Sequence, residues 1–275
     1  MFSGLVLAVP SARGVTQGAP PVALPVAPPL APPSVSLSTN GATRVPTAFG
    51  IGEALRYEVR VAPFGRVGAA TMWVEGPVEI QGVRTWLLRF DLAAGVGPIR
   101  GVDQTSSWLD PVAFAVLRYE KHEANPVATH DERVRIDRVH GRWRDEVRDA
   151  GGPLADPQPL DELSFIYLLR TLPLEGDSVR TLTRHFDVAR NPVRLHLLGR
   201  EIVATPAGIF RTRVVEMEVR DPRRPRGVGR IRIHLDDDPC RMPVRIESRM
   251  PRLGVTTLLL TGWAHPPNYP GTVTC

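Results

Sequence analysis

The side chains able to do chemistry are scattered along this chain rather than gathered into a motif. Its seven histidines are His122, His130, His140, His185, His196, His234 and His265. They include no His-x-x-x-His pair and no Glu-x-x-His that fits a helix, the spacings that put two metal ligands on one helical face. His130 is followed by Asp131 and Glu132, and His234 by Asp236, Asp237 and Asp238. Either group offers metal ligands if folding adds another donor, but acidic turn residues are usually solvated. The aspartate triplet also lacks the glycine and terminal glutamate of a calcium loop. No metal and no other cofactor is expected. Ser164, in Asp-Glu-Leu-Ser-Phe, lacks the flanking glycines of a nucleophile elbow. A hydroxyl at such a helical position bonds the preceding turn instead. Gly50, Gly52, Gly95, Gly97 and Gly101 have neither the lysine nor the strand-to-helix setting of a phosphate cradle, and read as bends in curved strands. No catalytic residue is expected. An enzymatic alternative, a hydrolase built from dispersed groups, requires two or more of His130, Glu132, His185, His234 and Asp236 to meet in a pocket.

The charge pattern is equally diffuse. Among 275 residues, 34 basic and 29 acidic side chains give a net charge of +5, and Lys121 is the one lysine. The largest one-sign run is Arg220, Arg223, Arg224, Arg226, Arg230 and Arg232. Solvated strand faces account for most of it, but Arg223, Arg224 and Arg226 are candidate contacts for an anionic membrane or glycan surface. No aromatics interleave with these arginines, so nucleic acid is not an expected partner. Two cysteines, Cys240 and Cys275, are too few for a disulfide scaffold, and their spacing leaves open whether they pair.

Positioning any site falls to strands. From Ala48 onward the period is two: Leu55, Tyr57, Val59 and Val61 alternate with Ala54, Arg56, Glu58 and Arg60. Gly68–Ile80 and Val83–Leu92 flank Gln81-Gly82 and predict a hairpin, with Trp86, Leu88, Phe90 and Leu92 on one face. Further strands are expected in residues 104–109, 113–122, 129–139 and 142–147, and again over 179–186, 193–204, 210–220, 228–235, 244–250 and 255–263. Their short links imply antiparallel pairing, since a parallel crossover needs a dozen or more residues. Asp161–Leu172 interrupts them as a helix apolar nearly all round, with Asp161 or Asp156 as cap and Pro173 as stop. The expected fold is mainly β: a curved antiparallel sheet, half-barrel or open barrel of about 10 to 12 strands, with one buried helix against its concave face.

Residues 1–47 differ in kind, holding nine prolines and only two charges, Arg13 and Arg44. They read as a signal-like apolar run, Phe2–Val9, followed by a Pro-rich disordered linker, which leaves 48–275 as a single β-rich globular domain. The protein is accordingly expected outside the cytoplasm. The longest late apolar run, Val255–Gly262, is eight residues, well short of a membrane-spanning helix.

Several pieces resemble a known family in their order: Phe49-Gly50-Ile51-Gly52-Glu53-Ala54-Leu55-Arg56-Tyr57-Glu58-Val59, the Asp161–Arg170 helix, Thr205-Pro206-Ala207-Gly208, and Asp238-Pro239-Cys240-Arg241-Met242-Pro243-Val244-Arg245-Ile246. The chain is similar over about Ala48–Trp263 to the bacterial envelope family catalogued as domain of unknown function 3108. That resemblance implies an exported, mostly β protein whose outline is similar to periplasmic half-barrels that carry lipids or lipoproteins. It supplies no catalytic residues, and Cys240 departs from the small residue expected there. The resulting expectation is a non-catalytic binder of a lipid or lipoprotein acyl chain, with Tyr57, Trp73, Trp86, Phe90, Phe165 and Leu169 as candidate ligand contacts. A structural or assembly role without ligand is the alternative, and no oligomeric state is implied.

Overall fold

The computed structural model describes residues 48–126, 128–175, 179–220, 227–250 and 254–265. The signal-like run, the Pro-rich arm and Cys275 lie outside them. The described residues form one 14-stranded antiparallel sheet in the order β8-β7-β6-β5-β4-β3-β2-β1-β14-β13-β12-β11-β10-β9. The first half comprises β1 (Ala54–Val61), β2 (Gly65–Ile80), β3 (Val83–Val96), β4 (Ile99–Asp110), β5 (Ala115–Ala124), β6 (Thr129–Asp137), β7 (Arg142–Asp145) and β8 (Ala150–Pro153). The helix α1 (Glu162–Thr171) then precedes β9 (Val179–Leu182), β10 (Val193–Thr205), β11 (Gly208–Arg220), β12 (Val228–Asp236), β13 (Pro243–Met250) and β14 (Gly254–Ala264). Two meanders therefore fan out from a central β1–β14 pair, whose register matches Val59 with Leu258 and Tyr57 with Leu260.

The count exceeds the expected 10 to 12, and β8, at one edge, is the strand with no counterpart among the predicted segments. β8 is Ala-Gly-Gly-Pro, which has no apolar alternation to reveal it, and its conformation comes from pairing with β7. The predicted Gln81-Gly82 hairpin is present, with both residues at positive φ (53° and 76°), as a two-residue turn between twisted strands requires. Gly68 is fixed by close approach instead: a Cβ there would lie 2.1 Å from the Ala93 carbonyl oxygen.

Alternation sorts the two faces. Leu55, Tyr57 and Val59 on β1, Met72 and Val74 on β2, and Trp86, Leu88 and Phe90 on β3 are buried and share the core with α1. The helix is buried from Glu162 through Arg170, so it lies inside the bowl, as its all-round apolarity predicts. Its N-terminal end meets Ser107 of β4, and its C-terminal end meets Glu53 just before β1. It thus seals one end of the bowl, here called the base, where β1, β3 and β5 begin. The β1–β2 and β3–β4 turns lie at the opposite end, the mouth.

Candidate functional site

The interior has three zones, and the helix defines the first. Asp161 caps it, accepting from the backbone N–H groups of Leu163 and Ser164 at 2.9 and 2.8 Å. The Ser164 hydroxyl accepts in turn from the Asp161 N–H at 2.8 Å, which makes this serine a structural residue. The Ser107 hydroxyl donates to the other carboxylate oxygen of Asp161 at 2.5 Å. Burial nonetheless raises the Asp161 carboxyl above the usual range. At the far end Arg170 is fully buried and donates to Glu53 at 2.6 and 2.7 Å, to Ala48 O at 2.6 Å and to Cys240 O at 3.1 Å. Its guanidinium lies 5.3 and 5.6 Å from the ring centres of Phe49 and Tyr167. Burial alone would favour losing the Arg170 proton, but the Glu53 charge outweighs it and Arg170 stays cationic. Beyond the helix, the Leu172, Pro173 and Leu174 carbonyls accept from Arg241, Arg180 and Arg213. These arginines tie down the segment that leaves the helix, from its C-cap Leu172 onward.

The second zone is polar and lies where the N-terminal end of α1 faces β4–β6. The sole lysine, Lys121, is buried with its ammonium 3.5 Å from Asp103 and 3.4 Å from Glu123. Burial lowers its pKa, but Asp103 and Glu123 outweigh this and the net shift is upward. Arg190 bridges Glu162 of α1 and Glu132 of β6, the latter at 3.2 Å. His130 contacts Glu132 at 2.8 Å. His185 accepts from the Asp187 N–H through Nδ1, which leaves the proton on Nε2, 3.7 Å from Glu162. Burial pushes His185 down to about 4, so it is neutral at neutral pH. Register explains the cluster: Thr105 faces Lys121, Lys121 faces Glu132, and Asp103 faces Glu123. Polar residues at inward strand positions are the signal that locates this lattice, and spacing along the chain does not reveal it.

The third zone is the inner wall toward the mouth. Gly68, Ala94 and Gly101 are direct cross-strand neighbours on the inward face. Val67, Leu92, Ala94, Leu197 and Val219 pack against the core while remaining partly exposed. Apolar side chains here are only partly buried, unlike those around the helix at the base.

The six predicted ligand contacts do not share one surface. Trp86, Phe165 and Leu169 are packed in the base, with Trp86 meeting Phe49 edge-on at 5.7 Å. Tyr57 is also buried, donating its hydroxyl to Pro243 O at 2.8 Å, and Phe90 stands opposite Thr105 with no exposure. Trp73 requires a correction. Met72 and Val74 point inward, so Trp73 points outward, where its indole donates to Glu75 and Arg89 lies 5.3 Å from its ring. Arg223, Arg224 and Arg226 lie outside the described residues. Cys240 is buried, and the second cysteine, Cys275, lies outside the described residues. Of the enzymatic set, His130, Glu132 and His185 converge on the polar lattice, whereas His234 pairs with Glu201 at 3.1 Å and Asp236 follows it on β12. A groove of about 690 Å³ near Gln81, Arg142 and Trp143 includes none of that set. Among the described residues no group of three or more His, Cys, Asp or Glu is arranged to hold a metal.

A curved antiparallel sheet plugged by one helix defines an open, barrel-like class of β protein. The chain belongs to the family described as a protein of unknown function (DUF3108), whose model matches residues 56–261. No curated protein matches it by sequence. Among solved structures, a beta-barrel-like DUF1849 protein from Brucella abortus is 11% identical, with 78% of this chain and 98% of that one covered and a TM-score of 0.55. That likeness is one of fold. A candidate lipoprotein from Parabacteroides distasonis (10% identity, 80% and 100% covered) and a candidate exported protein with YmcC-like fold from Bacteroides fragilis (14%, 78% and 97%) align with TM-scores of 0.30 and 0.29. No helix among the described residues is long and apolar enough to cross a membrane.

Proposed function

We propose that the protein is an exported, non-catalytic module of the cell envelope that takes a lipid or lipoprotein acyl chain on the mouth side of its bowl. The observation that carries this reading is the contrast along the inner wall: the helix is buried throughout and fills the base, whereas Leu92, Ala94, Leu197 and Val219 stay only partly buried. Each methylene buried there contributes about 0.8 kcal/mol, so a short acyl segment gains useful affinity from a modest space. Export is supported by the signal-like run Phe2–Val9. The test is organic extraction of the purified protein with mass spectrometry, together with uptake of a fluorescent fatty-acid probe. Co-purified lipid, and probe uptake that falls about tenfold or more in Ala94→Phe, are expected. Absence of both lipid and probe uptake overturns the reading.

A second reading, an assembly piece without ligand, is favoured by the complete burial of α1 from Glu162 to Arg170. It predicts a protein that takes up no probe and is indifferent to Ala94→Phe.

A further inference from the structure

The mouth also has an exposed rim. Val61 faces Gly65 across the β1–β2 turn, Gly68 faces Ala94 across the β2–β3 ladder, and Val96 faces Ile99 across the β3–β4 turn. This register brings the turn at 62–64 and the turn at 97–98 side by side. Their side chains are unusual for turns in water, which are ordinarily polar. Phe64 is 61% exposed and Ile99 51% exposed, with Pro63 and Pro98 exposed next to them. Arg66 and Arg100 flank these apolar tips, both exposed, and neither has a carboxylate partner among the described residues. Arg60 adds a third guanidinium at the same end, 2.5 Å from Glu58.

We propose that these two adjacent hairpin tips dock the protein on an anionic lipid bilayer, with Phe64 and Ile99 entering the interface and Arg66 and Arg100 meeting the headgroups. The apolar pair gains from leaving water, and an aromatic ring suits the boundary between headgroups and acyl chains. The unpaired guanidiniums gain from the negative surface potential, an attraction that fades within a Debye length and weakens with salt. Two short tips and two charges give reversible association rather than anchoring. Docking at this end brings the open mouth, and not the sealed base, against the bilayer. It does not require a bound ligand, so it stands or falls separately from the carrier reading.

The test is co-sedimentation of the full chain with vesicles of phosphatidylcholine alone or mixed with phosphatidylglycerol. The chain is expected to sediment with the mixed vesicles and to release as salt rises. Phe64→Asp with Ile99→Asp is expected to weaken binding about tenfold or more, and Arg66→Gln with Arg100→Gln about fivefold per arginine on mixed vesicles only. Ile202 and Ile209 serve as the control, because they are 74% and 78% exposed on the β10–β11 hairpin, whose turn meets β14 near the base through the Ala207 N–H and Leu260 O. Ile202→Asp with Ile209→Asp is expected to change nothing. No binding to mixed vesicles, unchanged binding of the Phe64/Ile99 pair variant, or loss in the Ile202/Ile209 control overturns the proposal. Circular dichroism of each variant separates loss of docking from loss of fold.

Discussion

At the base of the bowl Arg170 donates four hydrogen bonds to Glu53, Ala48 and Cys240 with essentially no exposure, whereas at the mouth Arg66 and Arg100 stand in water beside exposed Phe64 and Ile99. The same residue type does two different jobs. A buried guanidinium whose donors are matched fixes the position of a helix, because any displacement leaves a charge unpaired in an apolar setting. An exposed one with no partner stabilises little and remains available to something else. The difference teaches where to seek stability and where to seek recognition in a fold without a catalytic motif.

The largest test of that contrast is Arg170→Met, which strands the Glu53 carboxylate inside the base. A loss of about 3 to 5 kcal/mol in denaturant unfolding is expected, with much of it recovered when Glu53→Leu is added. If the single variant is as stable as the parent, the base is not held as described. Next, Leu169→Ala should cost about 2 to 5 kcal/mol as a fully buried truncation, against less than about 1.5 kcal/mol for half-buried Leu92→Ala at the mouth. Equal costs at the two sites would erase the distinction.

His185 sharpens the comparison through pH. Its folded pKa, about 4, lies below its unfolded value near 6.5, so between these values the unfolded chain binds more protons. Stability therefore rises with pH across that window, and it is lost as pH falls from about 6.5 toward 4, by about 3 kcal/mol in all. His185→Gln should flatten this slope. Asp236 works the other way: burial and Asp238 raise it to about 6, so its contribution declines as pH rises from about 4 to 6, and Asp236→Asn should steepen the curve. The smallest effect belongs to Gly101→Val. A Cβ at Gly101 meets Ala124 O at 3.5 Å, an ordinary contact, so stability should stay within about 1 kcal/mol while fatty-acid probe uptake falls.

Much of the fold was legible because alternation is a property of adjacent residues. Leu55, Tyr57 and Val59 declared their face, Gln81-Gly82 declared its turn, and Asp161 declared its helix. The same rule, applied more strictly, places Trp73 outside, since Met72 and Val74 on either side point in. The polar lattice was illegible for a different reason. Lys121, Asp103, Glu132, Arg190 and Glu162 come from separate elements, and strand register and loop closure alone bring them together. β8 escaped notice because Ala-Gly-Gly-Pro has no side-chain pattern to read. The mouth was hard to see because its signature is partial burial: Leu92, Leu197 and Val219 alternate like core residues, and only the assembled sheet shows them less covered than their neighbours.

The β1–β14 pairing has a consequence for biogenesis. The earliest strand of the sheet hydrogen-bonds to the latest, across an interval of roughly two hundred residues of intervening chain. A polypeptide emerging N-terminus first can form local hairpins but cannot close its central seam until synthesis is nearly complete. Until then the two meanders stay unjoined, each with an unpaired strand edge where the central pair will form.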